Sequence, residues 1–261
     1  MKLTFLGTGT STGVPVIGCD CEVCQSLDPK DCRLRSSALI ETSDGTTILI
    51  DAGPDFRQQI LRQGAKRIDA ILLTHEHYDH VGGLDDVRGL NYSMRADAEI
   101  YAQERVLKAV RHNLYYAFSQ KRYPGVPSIS LHSIFEQSFK AAGVKVWPLP
   151  VLHDKLPILG FRIGKLAYVT DASVVPHNTI AAMSGVDALV INALGPNTHH
   201  SHMSLEQAIC VARQVGARQT FFTHISHRMG LYAWRTPSLP PNMSLAYDGL
   251  TVNVAEEREN G

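Results

Sequence analysis

The chain has 261 residues, 44% of them hydrophobic, which is enough to bury a sizeable core. Its 25 basic and 25 acidic residues cancel, so its overall charge attracts neither nucleic acid nor an anionic membrane. No apolar run reaches membrane-spanning length, and the opening "MKLTFLGTGTSTG" meets glycines too early for a signal-peptide core, so we expect a cytoplasmic protein.

Short β runs alternate with helical patterns along the chain. The predicted strands are β-branched or aromatic and end at Gly, Pro, Asp or Asn; they are KLTFL, SALIET, TTILI, DAILLT, AEIYA, VKVWPL, LGFRI, LAYVT, DALVIN, RQTFFT and LTVNV. Helical spacing marks residues 55–63, 103–118 and 204–215, the last opening with a Ser204–Gln207 capping-box pattern. We predict an α/β (α+β) fold with two mixed sheets, helices on their outer faces, and a single domain over residues 1–261.

Three cysteines, Cys19, Cys21 and Cys24, lie within six positions of the N-terminal segment. Metal binding is favoured over a disulfide, because the first two are too close in sequence for an easy bridge and a reducing compartment disfavours one. A redox switch and a catalytic thiol remain alternatives. Cys32 looks unrelated to this cluster, and Cys210 lies in an apolar helical pattern, where we expect it to fill the core.

The segment LLTHEHYDHVGGLDD has four potential metal ligands at the end of an apolar strand: His75, His77, Asp79 and His80. Side chains two apart in an extended segment share a face, so the first two can bind one ion. The other two fall where the chain turns and can reach a second ion beside it. Three histidines and an aspartate in six positions are hard to explain without metal.

Further ligands are expected at other strand ends. His153, Asp171 and His224 each follow an apolar strand. Asp171 is the natural bridge between two ions, because a carboxylate has two oxygens. Nitrogen and oxygen ligands of this kind accept zinc, manganese or iron.

Three other segments allow two interpretations each. The run GTGTSTG, residues 7–13, differs from the dinucleotide fingerprint and precedes cysteines rather than a helix, so we predict a glycine-rich loop near the metal edge. Arg33 and Arg35 could bind a substrate phosphate or pair on the surface. Residues 119–130, SQKRYPGVPSIS, are interpreted as a solvated loop, with a lid or a substrate-facing flap as the alternative.

THEHYDH resembles the HxHxDH signature of the metallo-β-lactamase superfamily, and LGTGTSTGVPVIGCDCEVC resembles the PhnP-type phosphodiesterases within it. The resemblance extends from Leu3 to AYDGLTV near the C-terminus. It implies an αββα sandwich with a dinuclear site at one edge between the sheets. It also implies a phosphodiesterase of the carbon–phosphorus lyase pathway, acting on a cyclic ribosyl phosphate diester and containing a separate structural zinc.

The same resemblance assigns ligands to two catalytic ions, manganese or zinc. One ion would be held by His75, His77 and His153. The other would be held by Asp79, His80 and His224, with Asp171 as the bridge. The structural zinc would have a closed Cys₃His site made of Cys19, Cys21, Cys24 and His227. That site would tie the N-terminal loop to the loop bearing the last catalytic histidine.

Paired ions of this kind lie about 3.5–4 Å apart and lower the pKa of a bridging water, so that hydroxide can attack phosphorus. Asp79 belongs to this catalytic set through its place on the second ion. His202, in THHSHMS, aligns with the acid/base histidine of the family and would protonate the leaving alkoxide. His199 and His200 are weaker candidates for that role.

We therefore predict a metal-dependent hydrolase of a small phosphodiester, cyclic nucleoside and ribosyl phosphates included, that has no nucleic-acid or membrane partner. The family makes a homodimer plausible. One alternative is a tRNA 3′-processing nuclease, disfavoured by the neutral charge, the thiolate cluster and the lack of an evident RNA-gripping arm. Another is a non-catalytic binding protein such as the PQQ-pathway relative, which has lost part of the ligand set. Thioester or β-lactam hydrolysis is less favoured.

Overall fold

The computed structural model describes residues 1–121 and 123–256. The strands in chain order are β1 (Lys2–Gly7), β2 (Ser37–Glu41), β3 (Thr47–Ile50), β4 (Ala70–Leu72), β5 (Ala98–Ala102), β6 (Ile129–Ser133), β7 (Phe139–Ala141), β8 (Val144–His153), β9 (Leu156–Ile163), β10 (Leu166–Val169), β11 (Ala188–Asn192), β12 (Gln219–Thr223), β13 (Met243–Leu245) and β14 (Thr251–Asn253). The α-helices are α1 (Phe56–Gln63), α2 (Tyr78–Val81), α3 (Arg88–Met94), α4 (Glu104–Asn113), α5 (His177–Ala182), α6 (Leu205–Val215) and α7 (Tyr232–Arg235).

The strands form two seven-stranded sheets. The first has the order β14-β1-β2-β3-β4-β5-β6, and the second has the order β13-β12-β11-β10-β9-β8-β7. Each sheet is mixed: β3 to β6 are parallel in the first and β10 to β13 in the second, while their other pairs are antiparallel. The carboxyl ends of the parallel strands in a sheet meet at one edge, which is where such folds bind ligands.

Three apolar cores separate four layers. The central core joins the two sheets, with Phe5 and Ile48 from the first packed among Phe161 and Tyr168 of the second. A second core lies between the first sheet and helices α1 and α4, and a third lies between the second sheet and helices α5 and α6. The αββα sandwich predicted from the sequence is confirmed.

The three predicted helices are present as α1, α4 and α6. The capping box of α6 is complete: the Gln207 backbone N–H donates to Ser204 Oγ (3.3 Å), and the Ser204 N–H donates to Gln207 Oε1 (2.8 Å). The sequence analysis did not predict strands β6, β7 and β13 or helices α2, α3, α5 and α7. These short segments lack the clear apolar runs or helical periodicity of the elements that were predicted. Cys210 was expected in the core and is exposed, so that prediction was wrong.

Several hydrogen bonds join the loop at 119–130 to α3. Ser128 N–H donates to the side-chain oxygen of Asn91 (3.0 Å), and Asn91 donates back to the Ser128 carbonyl (2.9 Å). These contacts favour the surface-loop interpretation, although Arg122 lies outside the described residues. Within the described part of the chain, no helix has the length and apolar character needed to cross a membrane.

Candidate dinuclear metal centre and thiolate site

Strand ends deliver predicted ligands, and one further carboxylate, Asp51, to one edge of the sandwich. Asp51, Asp171 and His224 follow β3, β10 and β12, and each has a left-handed backbone, with φ of 61°, 59° and 54°. Non-glycine residues adopt this conformation rarely and mostly where a site demands it. In these three positions the bend takes a side chain out of strand alternation and into the cleft between the sheets.

The first ligand group consists of His75, His77 and His153, whose potential ligand atoms all lie within 4.8 Å of one another. His75 Nε2 is 3.0 Å from His77 Nδ1. Two of the three come from the loop after β4 in the first sheet, and His153 ends β8 in the second. The group therefore spans both sheets, as its predicted place on a single ion requires.

The second group consists of Asp79, His80, Asp171 and His224, again within 4.8 Å of one another. His80 Nε2 lies 3.2 Å from Asp79 Oδ2 and 3.4 Å from Asp171 Oδ1, and His224 Nδ1 lies 3.1 Å from the same Asp171 oxygen. The other oxygen of Asp171, Oδ2, is 3.9 Å from His75 Nε2 in the first group. Asp171 thus faces both groups, which is the geometry of a bridging carboxylate.

Hydrogen bonds to Nδ1, on the side of the ring away from the cluster, fix the orientation of three of the histidines. His153 Nδ1 donates to the Ser201 carbonyl (2.8 Å), and His80 Nδ1 lies 2.7 Å from Asp51 Oδ2. Thr74 donates its hydroxyl proton to Asp51 (2.9 Å), so its oxygen accepts from His75 Nδ1 (3.0 Å). Each of these rings therefore turns Nε2 toward the cluster, which is how metal-binding histidines are held.

Asp51 is a residue of the site that the sequence analysis missed. It is fully buried, and it contacts both His80 and Thr74. Its signal in the sequence was the one used for the other ligands, an aspartate directly after an apolar strand, here TTILI.

Electrostatics favour a cation at this edge. The carboxylates of Asp171, Asp51 and Asp79 outweigh burial and raise the pKa of His80 well above its usual value. Burial lowers the pKa of His224 to about 4 and that of His75 well below normal, so these imidazoles are neutral at pH 7. Burial alone would raise the pKa of Asp171, but His224 and His80 hold it well below its usual range. The proton on His80 occupies the place a metal ion would take.

The residues fit a pair of divalent ions. His80 Nε2 is buried and forms no hydrogen bond with the described residues, although it faces two carboxylates. Carboxylates and imidazoles are the donors that zinc and manganese accept. Metal binding by these seven side chains stays a prediction, and their convergence is what that prediction required.

His202 lies at the rim of the same cluster. Its Nε2 is 3.3 Å from Asp171 Oδ2, and its Nδ1 is 2.9 Å from Ser201 Oγ. Potential ligand atoms of His153, Asp171 and His202 also lie within 4.8 Å of one another. The ring can therefore serve as a proton donor at the cluster or as an additional ligand.

The three N-terminal thiols converge on His227. Its Nδ1 lies 3.2 Å from Cys19 Sγ, 3.4 Å from Cys21 Sγ and 3.5 Å from Cys24 Sγ. Three sulfurs around one nitrogen match the donor set of a closed zinc site. The Cys24 backbone N–H is the main influence that lowers the pKa of the Cys21 thiol to about 6, whereas burial raises that of Cys24 to about 11.

The thiolate site and the dinuclear site share a short piece of chain. Only two residues, Ile225 and Ser226, lie between His224 and His227. The glycine-rich loop forms two backbone hydrogen bonds with Ile225: the Ile225 N–H donates to the Thr8 carbonyl (2.8 Å), and its carbonyl accepts from the Thr10 N–H (3.1 Å). Thr10 Oγ1 also lies 3.1 Å from His224 Nε2. The prediction that this loop lies near the metal edge is confirmed.

The two candidate substrate arginines make protein contacts instead. Arg33 is buried, and its guanidinium donates to Thr8 Oγ1 (2.8 Å) and to the Ala246 carbonyl (2.5 Å). It therefore joins the two ends of the chain and does not pair on the surface. Arg35 forms an ion pair with Asp55 (2.9 Å) and donates to the Ser11 carbonyl (3.1 Å). Neither arrangement favours a phosphate ligand.

An αββα sandwich with a ligand-rich edge between its sheets defines a metal-dependent hydrolase of the metallo-β-lactamase fold. A family model described as "Beta-lactamase superfamily domain" matches residues 46–225. A solved structure described as a new diphosphatase from the PhnP family is 40% identical, with a TM-score of 0.90 and 96% of each chain covered. The chain belongs to the PhnP family of the β-lactamase superfamily.

Two further relatives carry other names. A Porphyromonas gingivalis protein named octanoyltransferase is 42% identical over 259 residues, which make up 98% of this chain and 52% of that protein; the chain thus spans about half of that relative's length. Zinc-bound PqqB from Methylobacterium extorquens is 21% identical, with a TM-score of 0.74 and 97% and 100% of the two chains covered. That last likeness shows the fold alone.

Proposed function

We propose that the chain hydrolyses a small phosphodiester, cyclic nucleoside and ribosyl phosphates included, with two divalent ions at the strand-end edge and a structural zinc in the thiolate site. The observation that carries this proposal is the convergence of all seven predicted ligands around Asp171, whose two oxygens face the two ligand groups. The 40% identity to a PhnP-family diphosphatase supports phosphoryl chemistry.

Paired divalent ions, when bound, lower the pKa of water and stabilise the charge that gathers on phosphoryl oxygens. Four of the proposed ligands already have the protonation states that metal binding requires, whereas His80 must first lose a proton. Asp79 and Asp171 stay ionised at neutral pH, because neighbouring imidazoles outweigh burial and keep their pKa values below normal. His75 and His224 stay neutral because burial disfavours their charged forms. Buried second partners then hold the rings in place, so little reorganisation accompanies the reaction.

His202 is the proposed proton donor to the leaving alkoxide. In the charged imidazole, Nδ1–H donates to Ser201 Oγ (2.9 Å) while Nε2–H remains directed at the cluster, 3.3 Å from Asp171 Oδ2. In this position the imidazole can act as a general acid toward the leaving group and be reprotonated after each cycle. The Ser201 carbonyl also accepts a hydrogen bond from His153 (2.8 Å). Ser201 therefore fixes the position of His202 relative to the proposed ligands.

The name of the 40% identical relative favours a second candidate, hydrolysis of a P–O–P linkage in a diphosphate. The same residues suit both reactions, and the leaving group distinguishes them. A leaving phosphate is much less basic than an alkoxide and needs less help from a proton donor. Replacement of His202 should therefore impair alkyl diester hydrolysis more than diphosphate hydrolysis.

Other functions have less support. The solved PQQ-pathway relative is only 21% identical, so its likeness supports the fold and not a shared role. The octanoyltransferase is about twice as long as the segment that matches, so its name does not by itself describe that segment. A tRNA-processing nuclease would need a surface for RNA, and the chain has no net charge.

The test begins with metal analysis of purified protein, followed by depletion and reloading with manganese or zinc. Substrates are bis(p-nitrophenyl) phosphate, 2′,3′-cyclic nucleotides, nucleoside diphosphates and precursor tRNA. We expect metal-dependent turnover of the small diesters and none of the tRNA. His202→Ala should lower kcat for cyclic nucleotides by about 10²-fold or more with metal content unchanged; loss of an ion would make His202 a ligand. Absence of turnover of every phosphoester by fully loaded protein would sink the proposal.

A further inference from the structure

Arg105 joins the two sheets beside the first ligand group. It lies in the first turn of α4, which packs on the first sheet. Its Nη1 donates to Glu76 Oε1, and Glu76 stands between His75 and His77. Its Nη2 donates to the Pro157 carbonyl (2.6 Å), near the start of β9 in the second sheet. One guanidinium therefore contacts both the loop that supplies two of the ligands and the hairpin that supplies the third.

The Pro157 carbonyl belongs to a well-paired part of the second sheet. Pro157 pairs with Leu152 in the antiparallel ladder of β8 and β9, and the adjacent pair toward the turn contains His153. A second hydrogen bond joins β9 to the ligand loop, because the Leu159 N–H donates to the Thr74 carbonyl (3.2 Å). These contacts set the position of His153 relative to the loop after β4.

Glu76 depends on Arg105 for its charge partner. Within the described part of the chain, Glu76 Oε2 is buried without a hydrogen bond, and Arg105 is the cation that pairs with Oε1. The Arg105 and Glu76 side chains are 35% and 24% exposed, so solvent screens their charges only in part. Removal of Arg105 would leave a half-buried carboxylate unpaired between two proposed ligands. A guanidinium also has a planar fork of donors that serves two acceptors at once, which an ammonium group does less well.

We propose that Arg105 is a positioning residue for the first ligand group. It holds His75 and His77 at the separation from His153 that one ion requires. The inference rests on the metal binding of the proposed function and not on the reaction. Without the guanidinium, the loop and the hairpin lose the donor that they share, so metal binding must itself bring the three imidazoles together. Because Asp171 faces both groups, weaker binding at the first should lower the affinity for the pair of ions.

The experiment measures metal affinity without turnover. Manganese(II) is titrated calorimetrically into protein whose edge is depleted and whose thiolate site keeps its zinc, since manganese prefers nitrogen and oxygen ligands to thiolates. Arg105→Met keeps the apolar stem and removes the donors, and we expect Kd to rise about 10–100-fold. Arg105→Lys should recover part of this loss, because it keeps the charge but not the fork. Glu76→Gln added to Arg105→Met should cause little further loss, because the two residues act through one contact.

Arg111→Met, on the same helix, is the matched control. Arg111 pairs with Glu104 of that helix (3.5 Å), and its loss should leave Kd within about threefold. The thermal midpoint of each metal-free protein is recorded as well, because a merely structural role would lower the midpoint and leave the Kd of the folded protein unchanged.

The outcomes separate this proposal from the proposed function. If Arg105→Met binds manganese as the wild type does, or loses no more affinity than Arg111→Met, the positioning role is refuted, while turnover of diesters would still support the proposed function. Arg105-dependent metal affinity in a protein that cleaves no phosphoester would sink the proposed function alone.

Discussion

The dinuclear edge and the thiolate site assemble their ligands in opposite ways. The edge takes seven side chains from both sheets, over positions 75 to 224, and most of them are buried and fixed by further hydrogen bonds. The thiolate site takes three of its four ligands from one loop, over positions 19 to 24, and these are half-buried or exposed. We therefore expect the fold to arrange the first ligand set before any metal binds, and a metal ion to contribute to the order of the second.

This difference separates two uses of metal. At a preformed edge we expect the ions to serve catalysis rather than stability, because folding alone positions the ligands. At a loop without strands of its own, we expect an ion to contribute folding free energy, because fewer other contacts hold the ligands together. Four experiments test this separation.

The largest effect is expected for Asp171→Asn. The change keeps the shape of the side chain but removes the negative charge that faces both ligand groups. We expect kcat to fall by about 10³-fold or more, because stabilisation worth several kcal/mol is lost with the ions. The thiolate zinc should remain at one per chain by metal analysis. Loss of that zinc together with activity would show that the two sites are not separable.

Asp51→Asn tests whether Asp51, which is not itself a proposed ligand, holds the ligands of the edge in position. The amide can still contact Thr74, but it no longer holds the His80 ring through a charged hydrogen bond of 2.7 Å. Metal affinity or activity should fall about 10–100-fold, as measured by competition with a chelator. Asp69→Asn, at a carboxylate that contacts Thr47 at the start of β3, is the control. Equal effects of the two changes would contradict a specific role for Asp51.

Metal affinity should rise with pH at both sites, for different reasons. At the edge, carboxylates raise the pKa of His80, so metal-free protein is protonated there and metal must displace that proton. At the thiolate site, Cys24 has a pKa of about 11 and must lose a proton to bind zinc. Each displaced proton corresponds to about a tenfold gain in affinity per pH unit, until the pKa is passed. Chelator competition at pH 6, 7 and 8 measures both slopes, and a flat profile would contradict the assigned protonation states.

Cys24→Ser should have the smallest effect on catalysis and the largest on local order. We expect protease cleavage within residues 14–33, a thermal midpoint lower by several degrees, and a loss of activity below about tenfold, transmitted through the chain from His227 to His224. Cys210→Ser, at an exposed position on α6, should change none of these. A Cys24→Ser protein as inactive as Asp171→Asn would mean that the edge is not preformed.

The sequence predicted most of the ligand set because strand-end position and residue type are both local properties. His75, His77, Asp79 and His80 are adjacent in the chain, so their convergence needed no tertiary information. Asp51 has the same strand-end position as Asp171, but its role is to hold His80 and Thr74, and that role depends on tertiary contacts that no local property of the sequence shows. The two sheets with outer helices followed from the apolar strand and helix patterns, and the αββα sandwich from the family resemblance, while short elements such as α2 depend on contacts distant in sequence.

The errors have physical causes of the same kind. Cys210 lies among apolar residues of α6, but which side of a helix a residue occupies depends on small rotations that composition does not set. The burial of Arg33 depends on Thr8 and the Ala246 carbonyl, and the second of these lies more than two hundred positions away. Residues adjacent in the sequence cannot predict a contact over such a distance along the chain.

Asp51 has one more consequence. A single carboxylate contacts His80 of the second ligand group directly and His75 of the first through Thr74. An ion bound by one ligand group would fix the orientation of Asp51, which also supports the other group. This effect favours cooperative binding of the second ion and opposes the repulsion between the two cations. We expect the edge to take up its ions nearly in one step, so that half-loaded molecules stay scarce and reactivity appears only when the pair is complete.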